Sequence, residues 1–336
     1  MATVLVTGAG GPCGIGAIKS LSTRTPHRIV GVDMDGSAAG LQLADEGATV
    51  PAATNEAWPQ AMADLVDGFA VDAILPTVDE ELAVLPSLRD VLPEDVAIVA
   101  PTQPVISLAS DKYRTMTRLA DAGHQTPRTW LGTETDAIDA DAFPLIVKPR
   151  QGRGSRGVQR VEDRDALSAH LSATEHDPEA LLCQEYIAGT EYTTSVVVTA
   201  DNRLLAVVPK EAIQKEGSTV LGATREQPAV TETCTELFET LSPAGPINVQ
   251  QIVDDEGTPH LIEINPRFSS TSCLTAAAGV DEFDLLIRDG VGEAVDLPEP
   301  FEADRYILRY QSHLFADSAD LGAVGDGIDS GPLVEH

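Results

Sequence analysis

Lysine is almost missing from this chain: five positions among 336 residues, Lys19, Lys112, Lys148, Lys210 and Lys215, against 17 arginines. The shortage extends to positive charge in general, with 22 basic against 53 acidic side chains and a net charge of -31. That balance excludes an electrostatic nucleic-acid binder, which needs a basic face to displace counterions. Aromatic residues are also few, at 4%. Few lysines, few aromatics and many acids together point to a halophilic source with a salt-accumulating cytoplasm. At about 1 M salt the screening length falls to roughly 3 Å, so most surface repulsion disappears. A charge this large is also a mark of disorder, but 43% hydrophobic content and periodic segments argue for a folded chain.

The four cysteines (Cys13, Cys183, Cys234 and Cys273) are scattered, with no C-x-x-C and no Cys/His cluster. This spacing speaks against a zinc site or a disulfide framework and fits a reducing cytoplasm. No run approaches the ~18 apolar residues of a membrane span. The apolar start is short and runs straight into a glycine turn, so no secretory leader is read there. The length allows two or three domains with substantial cores.

What is present begins with a buried strand, TVLVT (3–7), then GAGGPCGIG, a helix from about Ile15 to Ser22, and the apolar run RIVGVDMD ending at Asp33 and Asp35. Strand, glycine turn, helix, strand opens a doubly wound sheet. Further strands are expected at 73–77 and 97–101, with helices near 56–67 and 80–90 between them. Residues 1–100 therefore read as one open α/β domain. Gly8-x-Gly10 partly fits a dinucleotide fingerprint, with Asp33 placed for a ribose, but Cys13 occupies the third glycine position. The alternative is a glycine turn that lets strand and helix pack, or that binds another anion.

Residues 261–272, LIEINPRFSSTS, carry the chain's most pointed chemistry. Alternate side chains of a strand share a face, so Glu263, Asn265 and Arg267 point one way while Leu261, Ile262 and Ile264 supply packing. A carboxylate, a carboxamide oxygen and a guanidinium aimed at one point suit magnesium and phosphate oxygens. The bland alternative is a strand end with three solvated polar residues. The preceding run reads as a hairpin turning at Asp254-Asp255-Glu256-Gly257, which brings Gln250 close to Glu263.

Three earlier stretches point to the same ligand. In SDKYRTMTRLADAGHQTP, Ser110 or Asp111 caps a helix that runs to about Ala122 and stops at Gly123. Lys112 then lies in the first turn, where the helix dipole disfavours a cation, which suggests an anionic partner. FPLIVKPRQGRGSRGVQRV gives a strand ending at Lys148, a loop with Gly152, Arg153, Gly154, Ser155 and Gly157, and a second strand, GVQRV. Such a loop closes over a phosphate chain with free backbone N–H groups, and Lys148 adds a point charge. In LLCQEYIAGTEYTTSVVV, a connector at Glu185, Tyr186 and Ile187 suits an adenine edge, and Glu191 suits ribose hydroxyls. His124, His260 and His313 are scattered and read as surface positions.

Taken in order, SDK, VKP with GRGSRG, QEYIAGTEY, and NVQ with EINPR resemble the ATP-grasp carboxylate ligases over about residues 1–300. They are most like a single unit of the carbamoyl-phosphate-synthase large chain. The resemblance implies an α/β fold, α+β in its C-terminal part. It comprises a Rossmann-like open parallel sheet (1–100), a small glycine-loop subdomain with linker helices (101–183), and an antiparallel-sheet subdomain (184–316). A mobile acidic tail follows (317–336). It implies that Lys112 and Lys148 hold nucleotide phosphates, with Lys215 more loosely matched. Gly152–Gly157 would form the closing loop. Glu185 and Ile187 would bind adenine, Glu191 ribose, and Gln250, Glu263 and Asn265 magnesium or manganese. Arg267 would steady the transferred phosphoryl group. The implied reaction joins a small-molecule carboxylate to an amine or other nucleophile at the expense of ATP, with no nucleic-acid or membrane partner, and family members are commonly homodimers. Gln at 250, where many members carry an acid, matches the carbamoyl-phosphate-synthase branch. That enzyme uses two tandem units, and this chain has one. Two further readings compete: a nicotinamide-dependent oxidoreductase using the Gly8 turn, and a non-catalytic nucleotide-binding subunit.

Overall fold

A computed structural model describes residues 1–152 and 157–315, in two compact units built mainly from Met1–Ile98 and Val99–Tyr310. The expectations for Arg153, Gly154, Ser155 and the 317–336 tail lie outside the described residues.

The first unit is a parallel sheet of β1 (Thr3–Thr7), β2 (Arg28–Asp33), β3 (Glu46–Thr49), β4 (Ala73–Leu75) and β5 (Ala97–Ile98), in the order β3-β2-β1-β4-β5. Val4, Leu5 and Val6 are fully buried, as a strand covered on both faces requires. The helix Pro12–Arg24 opens on proline, whose missing N–H costs nothing at a first helical turn. The helix expected near 56–67 is Trp58–Phe69. The one expected near 80–90 is instead two short helices, Asp79–Leu82 and Leu85–Arg89. Pro86 has no N–H to donate backward, so the helix must restart at that point. The edge strand β3, EGAT, lacks the β-branched run that would have announced it.

The glycine turn sits where the strand order reverses, between β1 and β4. Gly8 has φ +59°, and a Cβ there would stand 2.4 Å from Val78. A Cβ on Gly14 would stand 2.2 Å from the Gly8 carbonyl oxygen. Asp33 accepts from the Gly10 amide at 2.7 Å and from the Asp35 amide at 3.0 Å. These glycines let strand and helix close on each other, and Asp33 is spent on the turn's own backbone.

The second unit holds two antiparallel sheets. The smaller comprises β6 (Thr129–Leu131), β7 (Leu145–Pro149), β8 (Gln159–Val161) and β9 (Leu181–Glu185), ordered β6-β9-β7-β8. The larger comprises β10 (Thr190–Val198), β11 (Leu204–Glu216), β12 (Ser218–Thr224), β13 (Ile247–Val253), β14 (Pro259–Asn265) and β15 (Tyr306–Leu308), ordered β14-β13-β10-β11-β12-β15. The two faces of this sheet differ in kind. One buries Val196, Val198, Ile247, Val249, Leu261 and Ile264 against Met116, Leu119, Cys234 and Leu237 of the helices Lys112–Asp121 and Pro228–Leu241. The other carries Glu191, Thr193, Ser195, Asn248, Gln250 and Glu263, as a period of two dictates. The run RYILRYQSHLF (305–315) pairs as a strand over only three residues, Tyr306–Leu308. Among the described residues no helix is long and apolar enough to cross a membrane.

Candidate functional site

Ten residues singled out from the sequence meet around one cavity of about 240 Å³ in the second unit: Lys112, Lys148, Gly152, Glu185, Tyr186, Ile187, Glu191, Lys215, Gln250 and Glu263. Each arrives for a local reason. Lys148 leaves β7 with only 8% of its surface exposed and donates to Gln184 Oε1 on neighbouring β9 at 2.9 Å. Lys112 opens a helix whose cap is Asp111, accepting from the Arg114 amide at 3.0 Å. Asp111 also takes the Arg150 guanidinium through two bonds, at 2.9 and 2.7 Å, so the helix start is tied to the end of β7. The Lys112 Nζ lies 3.5 Å from Glu263 Oε1 and donates to the Gly152 carbonyl at 2.6 Å. At the other end, Lys215 and Glu191 pair at 2.6 Å. Gln250 and Glu263 stand directly opposite each other across the hairpin.

The charges of the site act on one another. Burial pushes the Lys148 ammonium down to about 8. Glu263 and Glu191 oppose the shift, and Lys112 and Lys215 reinforce it. Apolar side chains complete the walls: Ile146, Val158, Ile252 and Ile262. Tyr186 lies under the Arg160 guanidinium, 4.2 Å from its ring centroid. Such a flat cation–aromatic stack borders an apolar slot well suited to another planar group. The Glu185 carboxylate turns to Arg128, at 3.2 Å, and the amides of Glu185 and Tyr186 donate to the Arg128 and Pro144 carbonyls. Two amides of the connector are therefore committed to the sheet.

Three other expected residues are not among those lining the cavity. Gly157, at φ +69°, packs near Pro149. Asn265 ends β14 on the same face as Glu263, opposite Asn248. Arg267 lies past the strand end, donating to the Phe268 carbonyl at 3.1 Å and to Asn265 Oδ1 at 3.4 Å.

Ile262 was assigned to packing and instead lines the cavity. The register slips between Gln250 and Gln251, so one residue of β14 is extra and Ile262 and Glu263 share a side. Gln184, which fixes Lys148, was also missed. Its place beside Lys148 follows from the pairing of β9 with β7, which no local signal announces. His260 and His124 are half-buried, pairing with Asp254 and Thr240 at 2.8 and 2.9 Å, where surface positions were expected; His313 is exposed. Lys210 had no expected role. It is 1% exposed and donates to Ser195, at 2.5 Å, and to Thr275, at 2.9 Å, while Ser195 donates to buried Glu282 at 2.7 Å.

Among the described residues no group of three His, Cys, Asp or Glu side chains could hold a metal ion by itself. Gln250, Glu263 and Asn265 offer one carboxylate and two carboxamides, all hard oxygen donors. That set fits magnesium when the ion brings phosphate oxygens and water to complete its octahedron.

Residues 109–271 match the family model described as an ATP-grasp domain, and residues 4–99 match that of a PylC-like N-terminal domain. A D-alanine–D-alanine ligase of Nitrosospira multiformis is 29% identical over 210 residues, covering 54% of this chain and 66% of that protein. A carbamoyl-phosphate synthase of Methanobrevibacter smithii is 24% identical over 241 residues, covering 66% of this chain and 65% of that protein. The chain thus spans just under two thirds of either relative. In fold it is similar to the biotin carboxylase domain dimer of a 2-oxoglutarate carboxylase from Hydrogenobacter thermophilus, solved with MgADP, ADP and bicarbonate. The TM-score is 0.71 at 17% identity, over 91% of this chain and 73% of that one.

Proposed function

We propose, from the premise that this chain carries an ATP-grasp domain behind a PylC-like N-terminal domain, that it is an ATP- and magnesium-dependent ligase. It activates a small-molecule carboxylate as an acyl phosphate for attack by an amine, with release of ADP and phosphate. The observation that carries this reading is the convergence of three of the five lysines with Glu191, Gln250 and Glu263 on one cavity.

In this reading Lys148 and Lys112 hold the nucleotide phosphates, Lys215 adds to them, and the backbone of Gly152–Gly157 covers them. Glu185, Tyr186 and Ile187 border the adenine, and Glu191 faces the ribose. Gln250, Glu263 and Asn265 hold magnesium or manganese, which when bound supplies charge neutralisation at the phosphates. A carboxylate oxygen of the substrate attacks the terminal phosphorus, and the bond to the bridging oxygen breaks with its electron pair going to ADP. The amine nitrogen then attacks the acyl carbon, phosphate departs with the electron pair of its bond, and the amine gives up a proton. Lys148 and Arg267 stabilise charge that develops on the transferred group, and the fixed sheet holds the reactants in line. We extend the proposal to a homodimer in a salt-rich cytoplasm, and to subdomain boundaries near residues 100 and 183.

Thermal unfolding in molar KCl with Mg-ATP, Mg-ADP, NAD(H) or NADP(H) tests the reading. A ligand at about 100 times its Kd adds about 2.7 kcal/mol of stability. A shift with adenine nucleotides and magnesium alone is expected. A shift with a nicotinamide nucleotide alone overturns the proposal and returns attention to the Gly8 turn.

A further inference from the structure

We infer that an ion pair inside the cavity makes the divalent cation and the nucleotide phosphates a single ligand, so that each is taken up well only with the other. The inference rests on the nucleotide-site reading above and adds what couples its two ligands.

Lys112 and Glu263 come from a helix start and a strand end far apart in sequence, and they are each other's partners at 3.5 Å, with side chains 11% and 22% exposed. A phosphate oxygen that takes Lys112 competes with Glu263 for the ammonium. A cation that takes Glu263 competes with Lys112 for the carboxylate. Where one ligand arrives alone, the other member of the pair is left as a poorly solvated, unmatched charge, the costly outcome for such pairs. When cation and phosphate arrive together, both charges are matched again. The same lysine also donates to the Gly152 carbonyl, so parting the pair draws on the first residue of the glycine loop as well.

Net charge points the same way. The three cavity lysines stand against Glu191 and Glu263, while Glu185 is matched by Arg128. Among the described residues lining the cavity one positive charge remains, which suits a polyphosphate whose charge a divalent cation has partly cancelled. The second pair, Lys215 with Glu191, serves as an internal comparison. It removes an acid of equal charge from the same cavity, but Glu191 is not part of the metal set.

Calorimetric titration of the full chain with ADP, once in EDTA and once in magnesium chloride, tests this. Magnesium should strengthen ADP binding by about tenfold or more, and ADP should strengthen Mn2+ binding, read by electron paramagnetic resonance, by the same factor. Glu263→Gln should tighten ADP binding in EDTA, because Lys112 is released, and shrink the magnesium enhancement to below about threefold. Lys112→Met should tighten Mn2+ binding measured without nucleotide. Glu191→Gln should leave the magnesium enhancement in place, which separates this pair from a general change of charge. Equal ADP affinity in EDTA and magnesium for the unaltered protein, or weaker ADP binding by Glu263→Gln in EDTA, overturns the inference and leaves the nucleotide site standing. Failure of ADP to bind under either condition overturns the nucleotide reading itself.

Discussion

Two glycine-rich turns follow strands in this chain, one after β1 and one after β7, and they use glycine for opposite reasons. In the first, side chains are excluded because backbone is already there: a Cβ on Gly14 would meet the Gly8 carbonyl oxygen at 2.2 Å. In the second, a Cβ on Gly152 would meet nothing within 4 Å, and what calls for glycine is φ +122°. The first turn is sealed by packing and spends Asp33 on itself. The second borders the cavity at Gly152, whose carbonyl accepts from Lys112. A glycine pattern alone therefore does not distinguish an open turn beside a cavity from a tight corner; the space around each glycine does.

The largest test of this contrast is Gly14→Ala, which should destabilise the first unit by about 3 kcal/mol or more, since backbone must move to admit the methyl group. Urea unfolding followed by a probe in that unit measures it. A cost below about 1 kcal/mol would remove the packing explanation.

Burial also acts on a carboxyl in one unit and on an ammonium in the other, with opposite pH signatures. Glu81, sealed beneath the first turn and bonded to Thr7, is pushed up from 4.5 to about 7, mainly by burial. Between those values the folded unit holds a proton that the unfolded chain releases. Its stability should therefore fall as pH rises from about 4.5 to 7, by up to about 3 kcal/mol, and Glu81→Gln should flatten that slope. Lys148 is pushed down from 10.5 to about 8. There the unfolded chain holds the extra proton, so stability should rise between about 8 and 10.5 while affinity for ADP falls as the ammonium is lost. Unfolding midpoints and ADP titrations across pH 5–10 would reveal either slope running the wrong way.

Lys148→Met should weaken ADP binding by about tenfold or more without loss of fold at pH 7, because it deletes a phosphate contact and a buried charge together. Gly152→Ala should cost only about 1 kcal/mol of stability, from its positive φ, and appear instead in ADP affinity. Smallest of all, Arg128→Ala should change stability by under about 1 kcal/mol, since its pair with Glu185 is partly exposed.

Much of the site could be read from sequence because it depends on local rules. Period-two alternation placed Glu263 and Asn265 on one face, a cap at Asp111 set Lys112 at a helix start, and the turn at 254–257 put Gln250 opposite Glu263. What stayed hidden depends on contacts between distant segments or on a single slipped residue. The bulge at Gln250 and Gln251 moved Ile262 into the cavity, and no local signal marks where an extra residue will fall. The Lys112–Glu263 and Lys215–Glu191 pairs form only once the sheets exist, and so does the buried Lys210–Ser195–Glu282 chain. The break before Leu85 was legible in principle, because Pro86 stands where a continuous helix would need a donor.

The scarcity of lysine has a practical side. Lys19 stands exposed on the helix Pro12–Arg24, Lys210 is buried on β11 of the large sheet, and the other three primary amines of the side chains face one cavity. To an acylating reagent this molecule offers little besides its amino terminus, Lys19 and the groups a bound nucleotide would shield. Intact-mass counting of acyl adducts therefore reads occupancy directly, with no engineered label. With the cavity occupied, the same sparseness confines attachment to an amine-reactive surface or dye to the amino terminus and Lys19.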